Sequence, residues 1–316
     1  MTRPDRPPRL IAVGGICTTT LYLVDTVPPV PGKVLAREAA EVVDGMAVSA
    51  ACAFVRLGGA AAAWGRVGDD ARGAAMRAAL ADAGLDVSGV RIVPGGKSSV
   101  AVAIIDARGD RIVVPFHDAS LDRAAGWLPL DAIPSVDMVH ADTRWPEGAA
   151  AALTAARLAG VAGMLDADVA PREVLAELVP LASHVVFSDA GLLQLEGIPP
   201  GDDAPVDDAL LAVAARLPQA RHVGASCGAA GYAWVEGGAV ERVPAPAVTV
   251  VDTLAAGDVF HGALAWALLA GVPVARAASY ACAAASLKCT RFGGRLGAPS
   301  RSEVEAFLGR GGQGPA

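Results

Sequence analysis

From residue 136 onward the chain alternates short apolar runs with helix-patterned segments. The runs fall at 136–140, 161–165 and 183–187, and helical patterns lie between them near 147–158 and 172–178. A strand, a crossover helix and a second strand pack as a parallel pair with the helix across one face, so this rhythm predicts a parallel sheet covered by helices. The N-terminal half extends it with a strand at 10–13, a helix at 46–57, a strand at 60–65 and a helix at 70–83. Two segments break the rhythm. The runs 16–23 with 33–43, and 98–105 with 111–116 across the turn at 107–110, read as hairpin-like strands without an intervening helix and form a small β-sheet lid, about 16–43 and 97–117.

The 316 residues form one α/β domain at 9–310, with 1–8 and 311–316 as flexible tails. A hydrophobic content of 53% against 19% charged residues describes a packed globular chain. The longest apolar stretch, 259–274, contains His261 and Pro273, so it falls short of a membrane span. The first residues lack a signal-peptide pattern. Five widely spaced cysteines without a CxxC pair suggest neither a disulfide framework nor a zinc site, and the expected setting is the cytoplasm. A net charge of −7 without a Lys/Arg run offers no footprint for nucleic acid or anionic membrane.

In an open α/β sheet, ligands bind beyond the carboxyl ends of the strands. Asp142 and Arg144, Asp166 and Asp168, and Ser188 and Asp189 each follow a predicted strand, where they read either as site residues or as caps of the next helix. The most chemically specific segment is Asp252-Thr253-Leu254-Ala255-Ala256-Gly257-Asp258. It joins a β-branched, strand-like run at 248–251 to a helical run at 259–270. Small residues there let the backbone N–H groups of Ala255, Ala256, Gly257 and Asp258 face an anion at the helix N-terminus. Asp258 is placed to accept a hydroxyl proton in phosphoryl transfer, or else to cap the helix. The run Gly95-Gly96-Lys97-Ser98 ends like a phosphate-binding P-loop, but its first glycine position is Arg91 and a strand follows where a helix is required.

The 252–258 segment closely resembles the Asp-Thr-x-Gly-Ala-Gly-Asp signature of the PfkB, or ribokinase-like, carbohydrate kinases. Arg56-Leu57-Gly58-Gly59, Arg66-Val67-Gly68-Asp69-Asp70 and Ser226-Cys227-Gly228-Ala229-Ala230-Gly231 are similar to the same family, over nearly the whole chain. The resemblance implies a three-layer α/β/α sandwich with a mostly parallel central sheet, and a β-sheet lid that makes a homodimer contact. It implies ATP and Mg2+, with Asp258 as catalytic base and Ala255, Ala256 and Gly257 in the anion hole. It also implies nucleotide contacts from Ser188, Ser226, Gly228 and Gly231, and a monovalent cation, K+, beside Asp252.

Within the family the chain is similar to sulfofructose kinases at Gly32-Lys33, 141–145, 257–264 and 287–291. That likeness implies an anionic sugar such as 6-deoxy-6-sulfofructose, its sulfonate bound by Lys33 and Arg144. A three-oxygen anion suits an ammonium and a guanidinium fork; the alternatives are a solvated Lys33 and a loop ion pair between Arg144 and Asp142. The chain departs from the family at several sugar contacts. Thr19 stands where the family carries an early Asp, the sugar loop reads Val43-Asp44-Gly45-Met46 and ends at Ser49, Pro115 stands at a lid Asn, and Ser188-Asp189-Ala190-Gly191 replaces Asn-x-x-Glu. Asp44 is a candidate replacement acceptor for a sugar hydroxyl. A nucleoside or other small-molecule kinase, or a sugar-binding protein without turnover, remain as alternatives.

Overall fold

Strands buried on both faces read as continuous apolar runs, and Leu10-Ile11-Ala12-Val13 is such a run. In the computed structural model, which describes residues 6–27, 31–106, 110–199, 201 and 205–310, Leu10 and Ala12 enter one core and Ile11 and Val13 the other. Residues 1–5 and 311–316 of the predicted tails, and 107–109 of the predicted lid turn, lie outside the described residues.

In chain order the elements are β1 (Arg9–Val13), β2 (Cys17–Val24), β3 (Glu38–Asp44), α1 (Met46–Arg56), β4 (Ala60–Gly68), α2 (Ala71–Asp82), β5 (Leu85–Asp86), β6 (Val90–Val93), β7 (Ser99–Asp106), β8 (Arg111–Phe116), β9 (Met138–Asp142), α3 (Pro146–Leu158), β10 (Ala162–Ala167), α4 (Arg172–Leu178), β11 (His184–Ser188), α5 (Asp189–Glu196), α6 (Val206–Arg216), β12 (His222–Ser226), β13 (Tyr232–Glu236), β14 (Ala239–Val243), α7 (Ala256–Leu269), α8 (Val274–Cys289) and α9 (Arg301–Gly309).

The large sheet runs β14-β13-β12-β11-β10-β9-β1-β4-β5, with β6 also on β4. It is parallel from β12 to β5, and β13 and β14 add an antiparallel edge. One core joins the sheet to α1, α2, α7, α8 and α9; the other joins it to α3, α4, α5 and α6. This is the expected three-layer arrangement. The chain builds outward from β1 in both directions, so the boundary between β1 and β9 is the switch point where a ligand crevice opens.

The second sheet runs β3-β2-β7-β8, with the two predicted hairpin pairs antiparallel and β2 parallel to β7 between them. Its inner face buries Leu21, Val42, Ala103 and Ile105, and Leu254 and Phe292 pack against them. The lid therefore touches the loop that leads to Asp258.

One expected strand is absent. Residues 248–251 are not part of the sheet. Pro244 and Pro246 follow the edge strand β14 and withhold ladder donors, and the N–H groups of Val251 and Asp252 instead donate to the Cys289 carbonyl, at 2.8 and 3.1 Å. The run is fastened to the end of α8. The P-loop look-alike is also structural: the Ser98 N–H and hydroxyl donate to Asp70 at 2.9 and 2.7 Å, joining the turn to the start of α2.

Candidate active site

Asp142 ends β9 at the switch point, and its buried carboxylate accepts the N–H groups of Gly15 (3.4 Å), Ala47 (3.0 Å) and Arg144 (2.8 Å). These amides come from three segments, so one side chain fixes the loop after β1, the start of α1 and the loop after β9. Glycine is required opposite it: a Cβ on Gly14 would lie 2.0 Å from Asp142 Oδ2.

The same wall carries the predicted sugar loop. Asp44, at the end of β3, accepts the hydroxyl of Ser49 at 2.6 Å and that of Thr19 at 3.3 Å. All three are buried, so Thr19, Asp44 and Ser49 form one hydrogen-bonded cluster. Gly45 has φ 139° and a Cβ there would meet the Gly15 carbonyl oxygen at 2.1 Å, which excludes other residues.

Asp258 lies in the first turn of α7 and is not its cap. The cap position is Ala255, which supplies no side-chain bond and sits at φ 61°, ψ 13°. Among the described residues Ala255 is the one non-glycine residue with positive φ, a conformation costing an L-residue about 1–2 kcal/mol. The left-handed step turns the chain into the helix with its first amides outward. Ala256 donates to the Thr253 carbonyl at 3.2 Å, whereas no described residue accepts from the N–H groups of Ala255, Gly257 or Asp258. Those three amides are left to face an anion, with Ala256 committed to the loop. Gly257 is exposed, and a Cβ on it would meet nothing within 4 Å.

No described residue hydrogen-bonds the Asp258 carboxylate. Burial holds its pKa well above the ordinary carboxylate value, and the negative charges of Asp44, Asp168 and Asp142 push it further, opposed by Arg111. Arg111 reaches down from the lid strand β8 to the Thr253 hydroxyl. Behind Asp258, one turn along α7, His261 forms a buried polar chain: Nδ1 is 3.4 Å from His140 Nε2, and Nε2 is 3.4 Å from Asp166 Oδ1. Burial lowers the pKa of both imidazoles, so they are neutral at pH 7.

Arg144 is half-buried; its guanidinium donates to the Val169 carbonyl at 2.8 Å and pairs with Asp168 at 3.4 Å. Its partner is therefore Asp168, with Asp142 taking only its backbone N–H. Asp168 also accepts the Ser188 hydroxyl at 2.7 Å, and Ser188 caps α5 by accepting from Gly191 at 3.0 Å. Ser226, at the end of β12, donates to the Phe187 carbonyl at 3.3 Å, and Gly228 and Gly231 both turn at positive φ. Lys33 is exposed and no described residue pairs with it; Pro115 is exposed on β8.

Asp252 is completely buried. Its carboxylate accepts from the amides of Leu254 (2.7 Å), Gly293 (3.0 Å) and Gly294 (2.8 Å) and lies 3.1 Å from Lys288 Nζ. The Lys288 ammonium also donates to the Asp252 carbonyl at 2.6 Å. This donor set does not fit an exchangeable monovalent cation, because an ammonium already holds the carboxylate and the carbonyl that such an ion would use.

Arg111 and Lys288 were not among the sequence-derived site residues, whereas Asp142 and Asp168 were open there as site residues or helix caps. Asp142 and Asp168 carried a signal in their position after strands; Arg111 and Lys288 depend on contacts 142 and 36 residues away along the chain.

The pattern of the pfkB family of carbohydrate kinases matches residues 9–301. The chain is 32% identical to the ATP-dependent ribose-1-phosphate kinase of Halopiger xanaduensis, across 95% of this chain and 98% of that protein. It is 28% identical to the ribokinase of Bacillus subtilis, across 95% and 99%. A crystal structure from Agrobacterium tumefaciens, given the working name of a ribokinase, superposes with a TM-score of 0.90 at 40% identity, covering 96% of this chain and 98% of that one. The chain belongs to the pfkB family of carbohydrate kinases, phosphotransferases that act on an alcohol group.

Proposed function

We infer that the protein transfers the γ-phosphoryl group of ATP to a hydroxyl of a small anionic sugar. The observation that carries this reading is the Asp258 carboxylate, without a hydrogen-bond partner among the described residues, at the start of a helix whose neighbouring amides are also unsatisfied. The substrate hydroxyl attacks the γ-phosphorus and loses its proton to Asp258, while the bond from that phosphorus to the ADP oxygen breaks. The amides of Ala255, Gly257 and Asp258 and the α7 dipole face the charge that develops on the phosphoryl oxygens.

Around Asp258, three carboxylates act against one guanidinium. Such a cleft repels a bare triphosphate, which supports entry of the nucleotide as its magnesium complex; magnesium supplies neutralisation of the phosphate charge. Ser188, Ser226, Gly228 and Gly231 are the proposed nucleotide contacts. Thr19, Asp44, Gly45 and Ser49 are the proposed hydroxyl-recognition wall, with Asp44 as acceptor.

Arg144 and Lys33 are the proposed cations for the substrate's anionic group. A sulfonate such as that of 6-deoxy-6-sulfofructose fits this chemistry, and so does a sugar phosphate. The phosphate reading has its own support in the Halopiger relative, named for ribose 1-phosphate. The lid strand β8 exposes Ile112, Val113, Val114 and Phe116, and Val102 beside it is also exposed. A second copy of the chain is the proposed cover for that face.

The test is ADP release over a panel of sulfosugars, sugar phosphates, neutral ketoses and aldoses, and nucleosides. An anionic sugar is expected to give the highest kcat/KM, with Arg144→Ala raising its KM at least tenfold and that of a neutral sugar less than threefold. Equal effects on both remove Arg144 from the anion site; turnover of nucleosides alone overturns the sugar reading.

A further inference from the structure

Removing an ammonium from water costs much unless it is paired and hydrogen-bonded. Lys288 is fully buried in the last turn of α8 and meets that condition at one residue, through both the side chain and the carbonyl of Asp252. The two remaining strands of the connection are backbone bonds, since Val251 and Asp252 donate to the carbonyl of Cys289, the neighbour of Lys288. Gly293 and Gly294 close the far side of the carboxylate. The end of α8 and the segment after it thus form a socket around Asp252, and its positive charge belongs to the chain.

What the socket holds is the first residue of the loop that ends at Asp258. Asp252 Oδ1 accepts from Leu254, Leu254 packs against the lid core, and Ala255 next to it takes the left-handed conformation that turns the amides outward. A carboxylate left without its cation here would shift the loop, and the anion hole would move with it.

We propose that the Lys288 ammonium is a built-in cation that positions the Asp252–Asp258 loop, so that phosphoryl transfer by this protein requires no monovalent metal ion. Lys288 is a positioning residue, acting through Asp252 and touching neither substrate nor nucleotide. The proposal rests on reading the 252–258 loop as the phosphoryl-transfer loop. A second potassium or ammonium ion has no place in the socket, since it would sit beside a like charge and compete for acceptors already engaged.

The experiment measures ADP release directly by chromatography, in tetramethylammonium buffer at constant ionic strength, with and without 100 mM KCl. The native protein is expected to change its rate less than twofold. Lys288→Met, which keeps length and removes the charge, is expected to lose at least tenfold in kcat and to recover part of it on addition of K+ or NH4+ but not of more tetramethylammonium. Thermal melting supplies a readout free of turnover: KCl leaves the native melting temperature unchanged and raises that of Lys288→Met. A native rate stimulated tenfold by K+, or a native melting temperature raised specifically by K+, overturns the proposal, the latter even if no substrate is turned over. Full activity of Lys288→Met without K+ also overturns it. The native titrations decide the matter should the variant fail to fold.

Discussion

Asp142 accepts the N–H of Ala47 at 3.0 Å with one carboxylate oxygen, joining the end of β9 to the start of α1 across 95 residues. The other oxygen holds Gly15 and Arg144, and Gly14 leaves the room that the carboxylate fills. Truncation would leave three buried amides without an acceptor, each costing about 1–3 kcal/mol, partly relieved by entering water. Asp142→Ala is therefore expected to lose about 3–5 kcal/mol in urea unfolding. Asp142→Asn, which keeps one acceptor oxygen, is expected to lose less. Equal stability of the native protein and Asp142→Ala would show that the clamp contributes nothing.

The Asp258 carboxyl must be ionised to accept a proton. Burial and the charges of Asp44, Asp168 and Asp142 raise its pKa, so activity falls with acidification at a pH above the ordinary carboxylate value of about 4. Arg111 opposes that rise, and Arg111→Met is expected to move the acid limb of the kcat/KM profile to higher pH. Asp258→Asn is expected to lower kcat by at least about 100-fold, the lower end of what a positioned general base contributes. Near-native turnover in Asp258→Asn would remove Asp258 as the base.

Ala255 carries a methyl group in a left-handed conformation where glycine would be unstrained. Ala255→Gly relieves about 1–2 kcal/mol of native strain and adds about 0.4–1 kcal/mol of unfolded-state freedom. A net gain between about 0 and 1.5 kcal/mol follows, read as a rise in Tm of a few degrees at most. A fall in Tm would show that the methyl group's packing outweighs the strain.

His222 donates to or accepts from the Tyr232 hydroxyl at 2.6 Å, and burial lowers its pKa to about 3, with a smaller push from His184. The unfolded chain takes up a proton near pH 6.5 and the folded chain does not, so acidification favours unfolding between pH 6.5 and the folded value. Each such histidine contributes up to about 1.4 kcal/mol of lost stability per pH unit in that window. The buried carboxylates with raised pKa act in the opposite sense at the acid end of the window, so the contribution of His222 is isolated by difference. His222→Gln is expected to flatten the decline in unfolding free energy from pH 6.5 to 5; an unchanged slope would mean that His222 titrates normally in the fold.

Several site elements were legible because they are local. The small-residue loop at 252–258, the aspartate in the first turn of the helix that follows and the candidate sugar-loop residues Asp44, Gly45 and Ser49 lie within short segments whose conformation follows from small residues and glycine. The expected strand at 248–251 was misread because β-branched composition reports fitness for a pleat and not whether a neighbouring strand is present. Here the partner is the end of α8, and prolines precede the run. The alternative reading of Arg144, a loop ion pair with Asp142, follows sequence proximity, whereas the loop geometry turns the guanidinium to Asp168.

The sequence alone determined the parallel α/β architecture, since the alternation of apolar runs and helical patterns can bury its faces in few other ways, and it singled out the candidate phosphoryl-transfer loop, whose residues are consecutive. Only the tertiary structure decided which polar and charged groups meet. Arg111 with Thr253, Lys288 with Asp252 and Thr19 with Asp44 are joined by the sheet order and the lid. Electrostatic pairing depends on distance and burial, which spacing along a chain does not encode.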